Sequence, residues 1–309
     1  MPAIRCENLT KRYGQVVALD HLNLEVPDNS VFGFLGPNGA GKTTTVKLLM
    51  GLSQPSEGRA WIDGQPVGEP GLKARVGYLP DVPAFYNWMS GREYLMFVAD
   101  LFGMSAAQSH ARVDELLAMV ELKGAARRRI GGYSRGMRQR LGIAQALVNR
   151  PQVLFMDEPV SALDPIGRRE VLNLILKLKE QATIFMSTHI LSDVERVCDM
   201  VGIVNKGKLV TESSVAHLQS RYAPSVFEIE TEEDVAALVP VVEKLPWVIK
   251  AEKVAINQAP VLRVQVSDVA AAKKELPQLV AQQQISLLRY ELVMPSLEDI
   301  FMELVGGAA

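Results

Sequence analysis

Gly36-Pro37-Asn38-Gly39-Ala40-Gly41-Lys42-Thr43-Thr44 opens on glycine and closes on Gly-Lys-Thr, the spacing of a phosphate-binding loop. Glycines let the backbone curl until successive N–H groups converge on phosphate oxygens. Lys42 is placed to reach β- and γ-phosphates as a point charge, and the Thr43 hydroxyl suits Mg²⁺. The context agrees. Val31-Phe32-Gly33-Phe34-Leu35 is a short apolar run that reads as a buried strand entering the loop. Val46, Leu48, Leu49 and Met50 read as the apolar side of a helix leaving it. That helix, starting near Gly41, would aim its positive dipole end at the same anion. Gly36, Asn38, Gly39, Gly41, Lys42, Thr43 and Thr44 are therefore the candidate contacts to a nucleoside triphosphate.

Outward from the loop, helical and extended patterns alternate. Leu22, Leu24 and Val26 alternate with polar residues as a half-buried strand does. Ala60-Trp61-Ile62 followed by Asp63-Gly64 predicts a strand ending in a hairpin turn, and 75–79 predicts another strand. Between Gly91 and Lys123 the period becomes helical: Leu95, Val98, Ala99 and Phe102 share one face, and Val113, Leu116, Leu117 and Val120 another. A helix is expected over 136–149, stopped by Pro151. Then come a wholly apolar strand at 153–156, a helix at 167–181, a strand at 182–187 and a helix at 190–198. This order predicts an α/β core around a parallel sheet, with a helical subdomain at about 81–150.

Near Arg221-Tyr222-Ala223-Pro224 the character changes. Beyond it the pattern predicts strand 226–230, helix 232–245, strand 249–256, strand 261–266, helix 269–283 and strand 285–292. That is the βαββαβ order of a ferredoxin-like α+β unit. A last helix over 297–304 would begin at Pro295-Ser296 and end at Gly306-Gly307. The expected domains are 1–222 and 223–309.

Composition sets bounds. The chain has 309 residues, 48% of them hydrophobic, and a formal net charge of −2, so it has a core to bury and no basic excess for general nucleic-acid binding. Its two cysteines, Cys6 and Cys198, lack metal-ligand spacing and suit a reducing compartment. No stretch reads as a secretory leader or as a bilayer-spanning helix. The short basic run Arg127-Arg128-Arg129 reads as a solvated turn.

The chemistry turns on Val153-Leu154-Phe155-Met156-Asp157-Glu158, which brings two carboxylates to the end of an apolar strand. Asp157 suits Mg²⁺, held through its waters. Glu158 suits the general base that polarises an attacking water.

With these motifs on view, residues 1–222 resemble the ATP-binding subunits of ABC transporters. The resemblance implies a P-loop NTPase core of the ABC ATPase type with its helical insertion. Tyr13, in Lys11-Arg12-Tyr13-Gly14, matches the aromatic residue that stacks on adenine, although an aromatic beside an N-terminal strand also serves packing. Asp81 stands where the family usually has Gln, as a metal ligand or as a turn cap. Tyr133-Ser134-Arg135-Gly136-Met137-Arg138-Gln139 falls on the signature motif, retaining Ser134 and Gly136, the residues that approach the γ-phosphate in the family. Arg135 and Met137 depart from the usual Gly and Gln, and this variant, like the tail Pro295-Ser296-Leu297-Glu298-Asp299-Ile300-Phe301, resembles the ABC-2 exporter subclass. Ser161-Ala162-Leu163-Asp164 matches the loop that communicates across a dimer, and His189 matches the switch histidine at the γ-phosphate.

The resemblance implies an ATPase (catalytic Lys42, Glu158 and His189; metal at Thr43, Asp157 and Asp81) that uses ATP and Mg²⁺. It implies a head-to-tail dimer with a second copy or a homologous subunit. It also implies a separate membrane-spanning permease, contacted through about 81–102, and a peripheral position on the cytoplasmic face of the membrane. An alternative is an ABC-type ATPase acting on nucleic acid or ribosomes. For the C-terminal unit, dimer stabilisation and small-ligand sensing both stand open.

Overall fold

Four phenylalanines mark where the apolar strands of the sequence meet. Phe185 lies 5.6 Å from Phe32, 5.3 Å from Phe34 and 5.7 Å from Phe155, measured between ring centroids, and all four are fully buried. The computed structural model describes residues 1–161, 163–222, 225–256, 259–283, 285–293 and 296–306. Ala162, the linker residues Ala223 and Pro224, and the expected helix boundaries Pro295 and Gly307 lie outside the described residues. Two compact units emerge, one from Met1–Val215 together with 304–306 and one from Ala216–Glu303.

The first unit begins with β1 (Ile4–Tyr13) and β2 (Val16–Val26), antiparallel to each other. With β4 (Glu57–Ile62) and β5 (Gln65–Pro66) they form a sheet in the order β2-β1-β4-β5. Leu22, Leu24 and Val26 are buried as their alternation demands. At the β4–β5 turn Asp63 and Gly64 have φ of 48° and 73°, the left-handed pair of a tight hairpin. β1 was not anticipated. Its pairing shifts register between Cys6 and Leu9, so its burial does not alternate cleanly enough to be read from the sequence.

The second sheet of this unit holds β3 (Val31–Leu35), β6 (Val76–Leu79), β7 (Val153–Asp157), β8 (Thr183–Thr188), β9 (Met200–Asn205) and β10 (Lys208–Ser214), in the order β10-β9-β3-β8-β7-β6. All neighbours are parallel except β9 and β10. Every residue of β3, β7 and β8 is buried, as strands covered on both faces must be. β9 and β10 extend this sheet beyond the strands anticipated from sequence.

Helices connect the strands. α1 (Lys42–Leu49) follows β3, α4 (Arg135–Ala146) precedes β7, α5 (Pro165–Leu178) follows β7 and α6 (Leu191–Val197) follows β8. The helical insertion contributes α2 (Gly91–Leu101) and α3 (Ala106–Met119), each opened by a capping box, Ser90 with Glu93 and Ser105 with Gln108. Such boxes satisfy two orphan donors reciprocally. α4 ends three residues short of the expected Asn149, its last backbone groups passing into turns.

Beyond β10 the chain runs α7 (Val215–Tyr222), β11 (Ser225–Thr231), α8 (Val239–Val242), β12 (Val248–Ile256), β13 (Ala259–Val266), α9 (Val269–Gln282), β14 (Leu287–Val293) and α10 (Leu297–Gly306), and the second unit takes all of these but the first residue of α7 and the last turn of α10. The second unit's antiparallel sheet has the order β12-β13-β11-β14. The unit's first strand thus lies between its third and fourth, the ferredoxin-like arrangement. The expected helix over 232–245 is a correction. Only a 3₁₀ turn at Val235–Ala237 and the single turn α8 form, because Pro240 lacks the N–H that would continue a helical ladder. Phe227, Ile229, Trp247, Leu262, Val264 and Leu276 make a core of their own. Among the described residues no helix is long and apolar enough to cross a membrane.

Candidate functional site

The phosphate loop bridges β3 and α1, and its shape depends on close backbone packing. A Cβ at Gly36 would stand 2.3 Å from the Val204 carbonyl oxygen. Gly41 has φ 109°, and a Cβ there would meet the Ala18 carbonyl oxygen at 2.6 Å. α1 starts without a side-chain cap and without an acidic residue in its first turn. Its leading N–H groups are therefore left for an anion.

Lys42 is buried at 7% exposure. Its Nζ donates to the Gly36 carbonyl at 2.7 Å and the Pro37 carbonyl at 3.3 Å, bracing the loop; an ammonium has three donors. Burial pushes the Lys42 pKa down, while the Glu158 and Asp157 carboxylates push it back up.

Beside the loop lies a cavity of about 300 Å³, lined by Ala18, Asn38, Gly39, Gly41, Lys42, Thr43, Thr44, Asp81 and Glu158. The structure thus gathers the loop, the position after β6 and the strand-end acid, which stand 36 to 158 in the sequence, around one opening.

The tips of β7 and β8 build the acidic side. Parallel pairing sets Asp157 against Ser187, whose hydroxyl donates to the buried Asp157 carboxylate. Glu158 follows with φ 49°, its N–H donating to the Ser187 carbonyl at 2.9 Å. The Thr188 hydroxyl donates to Glu158 Oε2 at 3.3 Å, and His189 Nδ1 stands 2.9 Å from Glu158 Oε1, where an Nδ1–H donates to the carboxylate. Asp81 lies at the rim. The Ser161 hydroxyl is 3.4 Å from Asp81 Oδ1 and 3.3 Å from the Glu158 carbonyl, so it ties the loop after β6 to the loop after β7.

Gly36, Asp157 and His189 adjoin the lining residues without lining the cavity themselves, and three further sequence candidates stand apart from it. Tyr13 is half exposed at the end of β1, with Lys11 Nζ 5.0 Å from its ring centroid. Ser134 caps α4, accepting from the Met137 N–H at 3.2 Å. Gly136 has Leu163 as its near neighbour, at 3.9 Å from an added Cβ. Sequence reasoning placed Ser161 only in the loop that communicates across a dimer, and it did not single out Ser187 or Thr188 as site residues. The available signal was a pair of hydroxyls ending one buried strand beside a pair of acids ending another.

Comparison with known proteins agrees with this geometry. Residues 19–161 match the family described as ABC transporter, and residues 214–305 match the C-terminal domain of DrrA1-3-like ATP-binding proteins. The uncharacterized ABC transporter ATP-binding protein YxlF of Bacillus subtilis (strain 168) is 38% identical over 97% of this chain and 98% of its own length. The bacitracin transport ATP-binding protein BcrA of Bacillus licheniformis is 36% identical over 98% of this chain and 97% of its own. Among solved structures, cbiO1 from Clostridium perfringens, part of the ABC transporter complex cbiONQ, superposes with a TM-score of 0.66 at 26% identity, covering 71% of this chain and 91% of that one. Phosphate loop, paired strand-end acids and full-length relatives lead to one conclusion: this chain belongs to the ATP-binding subunits of ABC transporters, the family of ABC ATPases that hydrolyse ATP to power transport.

Proposed function

We propose that this chain powers an exporter from the cytoplasmic face of the membrane, by closing on ATP as a head-to-tail dimer and reopening after hydrolysis. The observation that carries the reading is the cavity in front of α1, where Lys42, Thr43, Asp81 and Glu158 meet. In this reading Gly36, Asn38, Gly39, Gly41, Lys42, Thr43 and Thr44 hold the triphosphate. Lys42 and the uncapped start of α1 supply the countercharge. Glu158, oriented by Thr188 and His189, accepts the proton of the attacking water. His189 also meets the γ-phosphate, and Tyr13 stacks on adenine with its free face.

The donor set fits Mg²⁺. Among the described residues no cluster of three or more His, Cys, Asp or Glu makes a ready-built metal cage. A few oxygen donors at Thr43, Asp157 and Asp81 suit an ion held mainly by substrate phosphates and water. When bound, it would neutralise charge on the phosphate oxygens.

Ser134 and Gly136 support the dimer. The signature motif does not line its own chain's cavity, and Ser134 is exposed, free to meet the nucleotide of a second copy. A permease partner follows from the transport role that the relatives' names give them. Those names lend no support to action on nucleic acid or ribosomes.

Mixing two variants tests the composite site. Lys42→Ala spoils the phosphate loop, and Ser134→Arg blocks the signature. Each homodimer should be inactive, while the heterodimer regains one site with both parts intact. ATPase activity, or at least ATP-dependent dimerisation, should return on mixing. Neither returning, with subunit exchange verified, would defeat the head-to-tail reading.

A further inference from the structure

A second cavity, of about 380 Å³, opens between α5 and α6 and takes no part in the site above. Its lining carries three guanidinium groups, Arg168, Arg169 and Arg196, against one carboxylate, Asp193. The arginines are unequally engaged. Arg168 is oriented by Asp193 Oδ1 at 2.7 Å and by the Ser192 hydroxyl at 3.1 Å. Arg196 donates to a neutral partner, Asn173, at 3.0 Å, so its charge stays uncompensated. No hydrogen bond or ion pair joins the Arg169 side chain to another described residue. Asp193 is only 2% exposed, and its Oδ2 has no hydrogen-bond partner; as an acceptor it calls for a donor, such as a hydroxyl on a ligand's carbon body, and not for an anionic group. Leu163 and Leu172 add an apolar wall.

We propose that this pocket is an effector site for a small organic oxyanion, a phosphate ester or a polycarboxylate. Planar guanidinium forks match both groups bidentately, and the pocket's surplus of positive charge is of the right sign. Its size exceeds what a bare phosphate needs, leaving room for a carbon body against Leu163 and Leu172.

The pocket's walls are direct continuations of the two catalytic loops. The loop that bears Glu158 and Ser161 runs through Leu163 into α5, and His189 is followed at once by α6, which begins at Leu191. An anion bridging Arg168 and Arg169 of α5 to Arg196 of α6 holds these helices at one spacing, and so sets how His189 faces Glu158. This coupling rests on the ATPase reading; the binding itself does not.

The experiment uses the full-length chain with its nucleotide site saturated by Mg²⁺ and ADP, so that the phosphate loop does not compete. Inorganic phosphate and citrate are the probes, titrated by calorimetry at constant ionic strength with sodium chloride as the control. Saturable binding is expected, weakened tenfold or more by joint Arg169→Ala and Arg196→Ala substitution, with ADP affinity unchanged. Preference for phosphate over citrate marks a phosphate ester, and the reverse marks a polycarboxylate. The better probe should also change the steady-state ATPase rate of the wild type and not that of the double variant. No saturable binding, or equal binding by the double variant, overturns the site. Binding lost in the double variant without any rate effect in the wild type overturns its role as an effector site. If the wild type hydrolyses no ATP at all, the ATPase reading fails, and the calorimetric result still decides whether the pocket binds anions.

Discussion

The two units use β-sheets in opposite ways. In the first, β3, β7 and β8 are parallel and buried on both faces. Their side chains have no polar face to offer, so the chemistry gathers at the tips, in the loops after β3, β6, β7 and β8. In the second, the antiparallel sheet keeps one face for Phe227, Ile229, Leu262 and Val264. The other face carries an ion-pair ladder: Glu228, 5% exposed, accepts from Arg263 at 2.7 Å and from Arg289 at 3.1 Å, and Arg289 reaches Glu230 at 3.3 Å. A sheet covered on both faces exposes its ends and concentrates function there; a sheet with a polar face spreads its charges along that face and pairs them off.

The largest effect should come from the tip of β7. Glu158→Gln keeps the shape and loses the base, so hydrolysis should fall by roughly 10²–10⁴-fold while ATP binding persists. Single-turnover hydrolysis and a nucleotide-binding assay on the same variant separate the two. Turnover near the wild-type rate would place the base elsewhere.

Next is the core of the second unit. Phe227→Ala should cost about 3–5 kcal/mol in the denaturant transition reported by Trp247, which lies in that core. Below the transition, ATP hydrolysis should stay close to wild type, because every residue assigned to the catalytic cavity lies before Ala216. A parallel loss of activity in the still-folded protein would erase the division of labour drawn above.

The ladder should matter less. Glu228→Gln leaves two arginines partly unpaired, but these are 43% and 38% exposed, so water takes over much of the lost interaction. A cost of about 1 kcal/mol, read by the same Trp247 transition, is expected. A loss several times larger would mean that the polar face is sealed from solvent.

The smallest effect lies between β2 and β10. Burial, and then the Glu25 charge, raise the Glu212 pKa, opposed by the bond from the Glu25 N–H. A raised folded-state pKa gives stability that is complete below the unfolded value and is lost as pH rises through the folded one. Glu212→Gln should therefore raise the melting temperature slightly at neutral pH, and this gain should fade as pH falls toward 4.5. A gain that grows on acidification would reverse the assignment.

Sequence legibility followed this same contrast. The phosphate loop and the acids of β7 were readable because apolar runs break abruptly into Gly41-Lys42-Thr43 and Asp157-Glu158. In the second unit, alternation along β11 and β13 announced strands, while Pro240 and Pro246 gave notice of the helix failure only if weighed against the apolar spacing of 235–245. What stayed hidden depends on pairing across the chain. Ser187 meets Asp157 only through parallel register, and Ser161 meets Asp81 only when two loops 80 residues apart come together. Asp81 itself was ambiguous in sequence, between metal ligand and turn cap. Among the described residues its side-chain bond goes to Ser161, and it lines the phosphate-loop cavity.

Glu158 sits in the left-handed backbone region, with φ 49°. For a long unbranched side chain such a position costs about 1–3 kcal/mol; glycine and asparagine occupy it with much less strain. Selection for thermal stability alone would thus favour Gly or Asn at this position and discard the carboxylate. Directed-evolution campaigns on this chain would then be rewarded at a codon whose carboxylate the proposed mechanism needs.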